Sequence, residues 1–345
     1  MTAPRTKTID DIASMAGVSA ATVSKVINNR PYVSAEKRAT IERVIAETGF
    51  VPSQRARGLS KRRSFILGLL IPYTSDQLFS DPHLLECVRG IESEVNAREY
   101  NLLLSTARAP SEAASACVRL LRTDVIDGAI VLETHDLHQF SAMLGQRTGP
   151  LVFIGYPQAA AIPAVHADDY GGALAAMRHL LGAGHRRIGI ISSHLRPFAI
   201  EERMRGVADA LAEAGLMNDP ALVALGDFSP ESGEAAARAL LGLADQPTAI
   251  FSLNDRMALG AMRAAAALGL HIPADLSLVG FDDVALAALA TPQLTTVRQP
   301  GFALGAAAAR LVFGLLDGVP LSASPVIPTE LIVRGSTAAR RAERA

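Results

Sequence analysis

Residues 8–29 read T-I-D-D-I-A-S-M-A-G-V-S-A-A-T-V-S-K-V-I-N-N. Apolar side chains recur at Ile9, Ile12, Ala13 and Ala16, the three-and-four spacing of one helix face. Thr8 is a capping residue for that helix, and Asp11, three residues later, completes an approximate capping box. Gly17 stands where the chain must leave the helix through a positive φ. Ser19 then caps a second helix with Val23, Val26 and Ile27 turned inward. Downstream, Ser34 caps a third helix with Ile41, Val44 and Ile45 inward, Gly49 ends it, and Pro52 forbids its direct continuation.

Two helices joined by a turn containing Gly, and a third that supports them, make the helix-turn-helix pattern. The second helix turns Ala20, Ala21, Thr22, Ser24, Lys25, Asn28 and Asn29 outward. Small residues at its start let the backbone approach the floor of a DNA major groove, and Lys25, one turn later, can donate to guanine O6 and N7. Thr22, Ser24 and the helix N-terminus suit phosphate oxygens.

The charge distribution points the same way. The 345-residue chain has 33 basic and 34 acidic residues, a formal net charge of −1. Residues 1–63 hold 12 basic and 5 acidic residues, net +7, which leaves 21 basic and 29 acidic, net −8, on the remainder. A basic head on an acidic body directs one end only toward an anionic polymer.

The string Thr8–Asn29 resembles the DNA-binding head of the lactose-repressor (LacI/GalR) family. The resemblance places the family's base-reading triplet on Ala20, Ala21 and Lys25; many members carry Arg where this chain has Lys25. Residues 52–63, P-S-Q-R-A-R-G-L-S-K-R-R, read by composition as a flexible basic linker. The resemblance implies instead a hinge helix that orders on the operator, with Arg57 near the DNA and Leu59 wedged into the minor groove. Gly58 weakens that helix by roughly 1 kcal/mol relative to Ala.

Beyond residue 63 the sequence alternates short apolar runs with amphipathic stretches. Runs occur at 66–71, 102–104, 129–132, 151–154, 188–191, 221–225, 249–253 and 276–279. Helix-like stretches include 84–98, 112–122, 173–181, 203–214, 234–243 and 256–268. This is a βαβ pattern with parallel sheets buried on both faces. Nine or so such units exceed one sheet of ordinary size, so two lobes are expected. An apolar fraction of 49% supports a large core. No run reaches the roughly 18 apolar residues of a membrane span, and the first thirty residues lack the apolar region of a secretory leader. Cys87 and Cys117 lie outside any metal-ligand spacing and read as buried, reduced thiols.

This body resembles the same family over essentially its whole length, through Ala167–Ile188, Glu201–Gly206, Phe251–Met262, Ser277–Asp283 and Leu294–Pro300. The implied fold is a helix-turn-helix head, all α, plus an α/β periplasmic-binding-protein-like core of two doubly wound parallel-sheet lobes. The expected domains are 1–51 for the head, 52–63 for the hinge and 64–337 for the core, with 338–345 a disordered tail. Lobe 1 is expected over 64–165 with 295–322, and lobe 2 over 166–294 with 323–337.

Ligands of open α/β sheets bind beyond the carboxyl ends of the strands. Asn254 and Asp255 follow one apolar run, Asp282 follows another, Asp168 precedes a helix, and Arg203 lies early in a helix. Asp, Asn and Arg together suit vicinal hydroxyls. Phe79 and Phe228 offer apolar faces to a sugar or purine ring, in a chain without Trp. Arg196 and Gln299 complete the candidate set; the family likeness favours Arg203 as a ligand contact. Asp168, Asn254 and Asp282 are also residue types that cap helices, and both roles remain open for them.

The expectation is a cytoplasmic, ligand-responsive transcriptional regulator, a repressor, that binds a pseudo-palindromic operator as a homodimer and responds to a sugar or sugar derivative. No metal, cofactor or membrane partner is expected, and no catalytic residue. The tail after Val333 lacks Leu heptads, which argues against the tetramer of the lactose repressor. The alternatives are a solute-binding protein without a DNA role, or a sugar-modifying enzyme. Against the enzyme, the chain contains no G-x-x-x-x-G-K-[ST], no G-x-S-x-G and no H-E-x-x-H.

Overall fold

The structure is a computed structural model of the chain. It describes residues 7–27, 30–50, 63–72, 74–106, 120, 125–132, 149–156, 163–195, 197–319 and 325–340. The chain divides into two compact units, residues 1–65 and 66–345.

The first unit holds α1 (Ile9–Ala16), α2 (Ala20–Ile27) and α3 (Ala35–Thr48). Thr8 and Asp11 form the expected reciprocal capping box on α1, and Gly17 ends it at φ 64°. Ser34 caps α3 by accepting from the Lys37 N–H. Ile12, Ala13, Val23, Val26, Ile41 and Val44 close into one core, with Ile9, Ala16, Ile27 and Ile45 against it. A core this small leaves the caps a large share of the unit's stability, each about 1 kcal/mol.

The second unit contains β1 (Ile66–Ile71), α4 (Ser75–Ser80), α5 (Pro82–Ala97), β2 (Asn101–Thr106), β3 (Gly128–Leu132), β4 (Leu151–Ile154) and β5 (Ala164–Ala167). There follow α6 (Asp169–Gly182), β6 (Ile188–Ser193), α7 (Phe198–Glu213), β7 (Val223–Gly226), α8 (Pro230–Leu241), β8 (Ala249–Ser252), α9 (Asp255–Ala267) and β9 (Ser277–Asp282). The chain finishes with α10 (Ala285–Leu289), β10 (Thr295–Arg298), α11 (Gly301–Leu316), β11 (Val326–Ile327) and β12 (Glu330–Ile332).

Two six-stranded sheets result, ordered β11-β5-β4-β3-β1-β2 and β12-β10-β9-β8-β6-β7. Every recorded pairing is parallel except β10 with β12. In each sheet the order reverses after its first strand, β1 or β6, which opens a crevice at the strands' carboxyl ends. Strands buried on both faces explain the unbroken apolar runs, such as Leu67–Ile71. Phe251 and Phe281 are wholly buried in the second sheet's core, each worth about 1.5–3 kcal/mol of apolar burial. On the other face α8 and α9 meet closely enough that a Cβ on Gly260 would collide with the Pro230 carbonyl.

The strands move the expected lobe boundaries. The crossings were expected near 165, 294 and 323. Instead β5 stays with the first sheet through Ala167, β10 belongs to the second sheet through Arg298, and β11 returns to the first sheet. The apolar patterning missed β5 and β10 because His166 in A-V-H-A and Thr295, Thr296 and Arg298 in T-T-V-R break their apolar runs, and β11 and β12 because they are only two and three residues long. α11 was also absent from the helix-like stretches; its run of Ala gives a helix buried along much of its length rather than a two-faced one.

The tail expectation also needs correction for residues 338–340. The Ala338 N–H donates to Ser277 Oγ (3.1 Å), and the Arg340 N–H donates to the Ala183 carbonyl (2.9 Å). Buried His185 lies 3.2 Å from the Ala338 carbonyl and 3.0 Å from Ser277 Oγ. Polar groups of the second lobe need these backbone partners, so the segment is docked. Cys87 is buried, as expected; Cys117, the stretch 112–119 and most of the linker lie outside the described residues.

Candidate functional site

A cavity of about 680 Å³ lies between the two sheets of the second unit. Its walls come from the carboxyl ends of parallel strands. Ile154 ends β4 and Gly155 and Tyr156 follow it, His194 and Leu195 follow β6, and Asp227 and Phe228 follow β7. Asn254 follows β8, Asp282 ends β9, and Gln299 follows β10, at one of the crossings between sheets.

Arg203, on the second turn of α7, is the charged centre of the second-lobe wall. Its Nε donates to Asp169 Oδ1 (2.8 Å) and an η nitrogen donates to the Leu253 carbonyl. The guanidinium lies over the Phe281 ring at 3.7 Å, a cation–π contact that orients its plane. Asp282 Oδ1 is 3.9 Å from Arg203 Nη1 and accepts from Gln299 Nε2 (2.9 Å). Burial pushes the Asp282 carboxyl up to about 7; Arg203 and Gln299 pull against that rise, while Asp81 and Asp169 add to it. Asp282 sits at φ 119°, in the region L side chains rarely adopt. Strain of this kind is kept where surrounding contacts demand it, here by holding the carboxylate at the cleft.

Asn254 caps α9 by accepting from the Met257 N–H (2.9 Å), and its Nδ2 donates to the Phe228 carbonyl (3.3 Å). Tyr156 stacks on His166 with ring centroids 4.1 Å apart and reaches Phe198 at 5.3 Å. Its hydroxyl donates to the Ala167 carbonyl (3.1 Å), and burial drives its acidity far down. Across the cleft, Arg256 of α9 faces Ser80 Oγ at 3.4 Å and Asp81 Oδ2 at 3.9 Å.

In the head, Val23 and Val26 are buried while Ala21 and Lys25 on the same helix are exposed. Thr22 and Ser24 are half-buried, and the Thr22 N–H bonds to Ser19 Oγ (3.3 Å).

Residues 8–53 match the family model described as bacterial regulatory proteins, lacI family, and residues 177–337 match that of the periplasmic binding protein-like domain. The HTH-type transcriptional repressor CytR of Escherichia coli (strain K12) is 34% identical over 334 residues, which covers 96% of each chain. The chain belongs to the lacI family.

Solved structures agree with this lacI-family assignment. The complex of the transcriptional regulator CelR with cellobiose matches at 33% identity and TM-score 0.72, covering 96% of this chain and 99% of that one. The lac repressor dimer bound to operator and the anti-inducer ONPF matches at 27% identity and TM-score 0.86, covering 97% and 100%. The lacI-family fold, a helix-turn-helix unit followed by two parallel-sheet lobes, is the one expected from the sequence.

Within this lacI-family regulator, the cavity gathers Arg203, Phe228, Asn254, Asp282 and Gln299 from the expected set. Three others stand elsewhere. Phe79 is 62% exposed and outside the cavity wall, because neighbouring Leu78 takes the inward face of α4. Asp168 caps α6 through the Gly171 N–H (2.9 Å) and is not in the wall. Asp255 is wholly buried behind the wall, where it accepts from Thr296 Oγ1 (2.6 Å) and the Val284 N–H (2.9 Å). It ties β10 and the start of α10 to α9, and burial, then the neighbouring Asp282, hold its carboxyl well above the usual range.

For Asn254, capping and a place in the wall coexist. Asp282 lines the wall without capping a helix, since α10 has no side-chain cap. Ala20, expected outward, packs partly against the head core. Arg196, Asn28, Arg57 and Leu59 lie outside the described residues. Sequence reasoning missed Asp169, Tyr156, His166 and Arg256. Asp169 was within sight, as the second Asp of Ala167-Asp168-Asp169. At a helix start the first Asp turns back to cap and the second points into the cleft.

Proposed function

We propose that this lacI-family protein is a ligand-responsive transcriptional repressor that binds a pseudo-palindromic operator as a homodimer. The reading rests on one observation: the same chain carries a helix-turn-helix with exposed Ala21 and Lys25 and a two-lobed body with an acidic and amide-lined cleft. Lys25 reads a guanine in the major groove, with Ala20 and Ala21 allowing close approach and Thr22, Ser24 and Asn28 serving phosphates. Arg57 and Leu59 act in the minor groove.

The effector is a sugar or sugar derivative held by Arg203, Asp282, Asn254 and Gln299, with Phe228 against a ring face; Arg196 belongs to the same proposed set. Cellobiose in the CelR complex is a ligand of this kind. The effector acts only through unequal affinity for the DNA-bound and DNA-free states. Induction, release from DNA, is the direction favoured. The protein works in the cytoplasm without catalysing a reaction; no described helix is long and apolar enough to cross a membrane.

The test combines selection from random DNA with a ligand screen. The selection returns paired half-sites, and binding weakens steeply with salt, since the head displaces phosphate counterions. Arg203→Ala and Asp282→Ala keep operator binding and lose the effector response. Salt-independent operator binding refutes the head's role. Unchanged ligand affinity by calorimetry in both variants refutes the effector site.

A further inference from the structure

The cavity is charged in a lopsided way. Among its described lining residues stand five carboxyl groups, Asp76, Asp81, Asp169, Asp227 and Asp282, of which Asp282 stays protonated to about pH 7, against two guanidinium groups, Arg203 and Arg256. Both arginines are already engaged by protein acids; His83 also lines the wall, where burial lowers its pKa but Cys87 and Asp81 beside it outweigh that and leave the imidazole raised. Arg203 pairs with Asp169 at 2.8 Å, and Arg256 faces Asp81 at 3.9 Å. Arg203 keeps spare N–H donors for a hydroxyl, but Asp169 already balances its charge. A forked grip on a phosphate would need one of these arginines to give up its acid partner.

Two of these carboxyl groups are shifted in opposite directions. Asp227 is held ionised, its pKa drawn down to about 2 by hydrogen bonds from Ser229 and then Ser232. Asp282, deeper in the cleft, moves the opposite way, up to about 7, first through burial and then, against the pull of Arg203, through Asp81 and Asp169. An anion brought to the cavity floor meets the same loss of hydration that raises Asp282, with Arg203 acting against that cost and Asp81 and Asp169 adding to it. A phosphate monoester brings a further charge of about −1.5 to −2. A neutral hydroxyl meets the reverse situation, since ionised carboxylates are acceptors and a sugar supplies the donors.

We propose that the cavity selects an uncharged polyhydroxylated ligand, a free sugar or a nucleoside, and rejects the phosphorylated form of the same compound. This rests on the cavity being the effector site. Nucleoside and free sugar share glycosyl hydroxyls that donate to the aspartates, and Tyr156 and Phe228 line the same wall.

The test uses the full chain and titration calorimetry with matched pairs: glucose and glucose 6-phosphate, ribose and ribose 5-phosphate, adenosine and AMP, cytidine and CMP. The uncharged member of at least one pair should bind ten-fold or more tightly than its phosphorylated partner, and the pair that responds tells sugar from nucleoside. Asp227→Asn should narrow that ratio. Asp76→Asn, at an exposed position whose change does not threaten folding, should narrow it in the same direction. A phosphorylated member that binds as tightly as its uncharged partner, and is lost in Arg203→Ala, overturns the charge preference while the site stands. Binding that survives Arg203→Ala unchanged overturns the site reading instead.

Discussion

Arg203 and Asp169 form an ion pair at 2.8 Å with both side chains almost wholly withdrawn from water. Asp169 is the first residue of α6 and Arg203 lies on α7, so the pair locks two helices of the second lobe while presenting the guanidinium to the cleft. Removing one partner of a buried pair leaves the other charge uncompensated, at a cost of about 3–5 kcal/mol. Asp169→Ala should lower the melting temperature by several degrees and weaken ligand binding together. Thermal denaturation showing an unaltered midpoint would contradict this.

Asp282 gives the fold a pH signature. Its carboxyl stays protonated to about pH 7 in the folded chain, against an ordinary value of 3.8. The folded state thus binds more protons than the unfolded state between about pH 4 and 7, and stability falls as pH rises through that window. Asp282→Asn removes this penalty. The difference in melting temperature between variant and parent should move in the variant's favour from pH 5 to pH 8. A difference that does not change with pH would mean the carboxyl titrates normally.

Arg256 bridges the cleft from α9 to Ser80 and Asp81 at the end of α4. At 3.4 and 3.9 Å and partly exposed, these contacts contribute about 1 kcal/mol or less. Arg256→Ala should therefore loosen ligand binding by about fivefold at most, chiefly through faster dissociation. Stopped-flow release kinetics measure this; a hundredfold loss would make Arg256 a direct ligand contact.

Lys25 is exposed on α2 beside exposed Ala21. Lys25→Ala should cost about 1–3 kcal/mol on the specific site and relax one base position. The same motif returning from random-sequence selection with the variant would remove the base-reading role.

The docked chain end is testable by truncation. Ending the chain after Thr337 removes the Ala338 carbonyl beside buried His185, leaving a polar group short of a partner at a cost of about 1–3 kcal/mol. The midpoint of urea unfolding should fall with an unchanged slope. An unmoved midpoint would return residues 338–340 to the status of a loose tail.

The head was legible almost residue by residue, since its determinants are local. Thr8, Asp11, Gly17, Ser34 and Gly49 act on backbone within a few positions, and three-and-four spacing alone selects Ile12, Val23 and Ile41 for the core. The βαβ alternation was legible for the same reason, because a strand buried on both faces must be apolar throughout. The crossings were not. Whether Thr295–Arg298 pairs with β9 or joins the first sheet depends on register across strands far apart in sequence, and nothing in four residues encodes it. The site divides along the same line. Asn254 and Asp282 were found because strand ends face clefts, and Arg203 through the family likeness. The roles of neighbours in sequence were settled only by packing: Asp168 turns back to cap while Asp169 meets Arg203, and Asn254 lines the wall while Asp255 braces the strands behind it. Local chemistry chose the residue types at these positions; a contact 34 residues distant chose which aspartate would face the cavity.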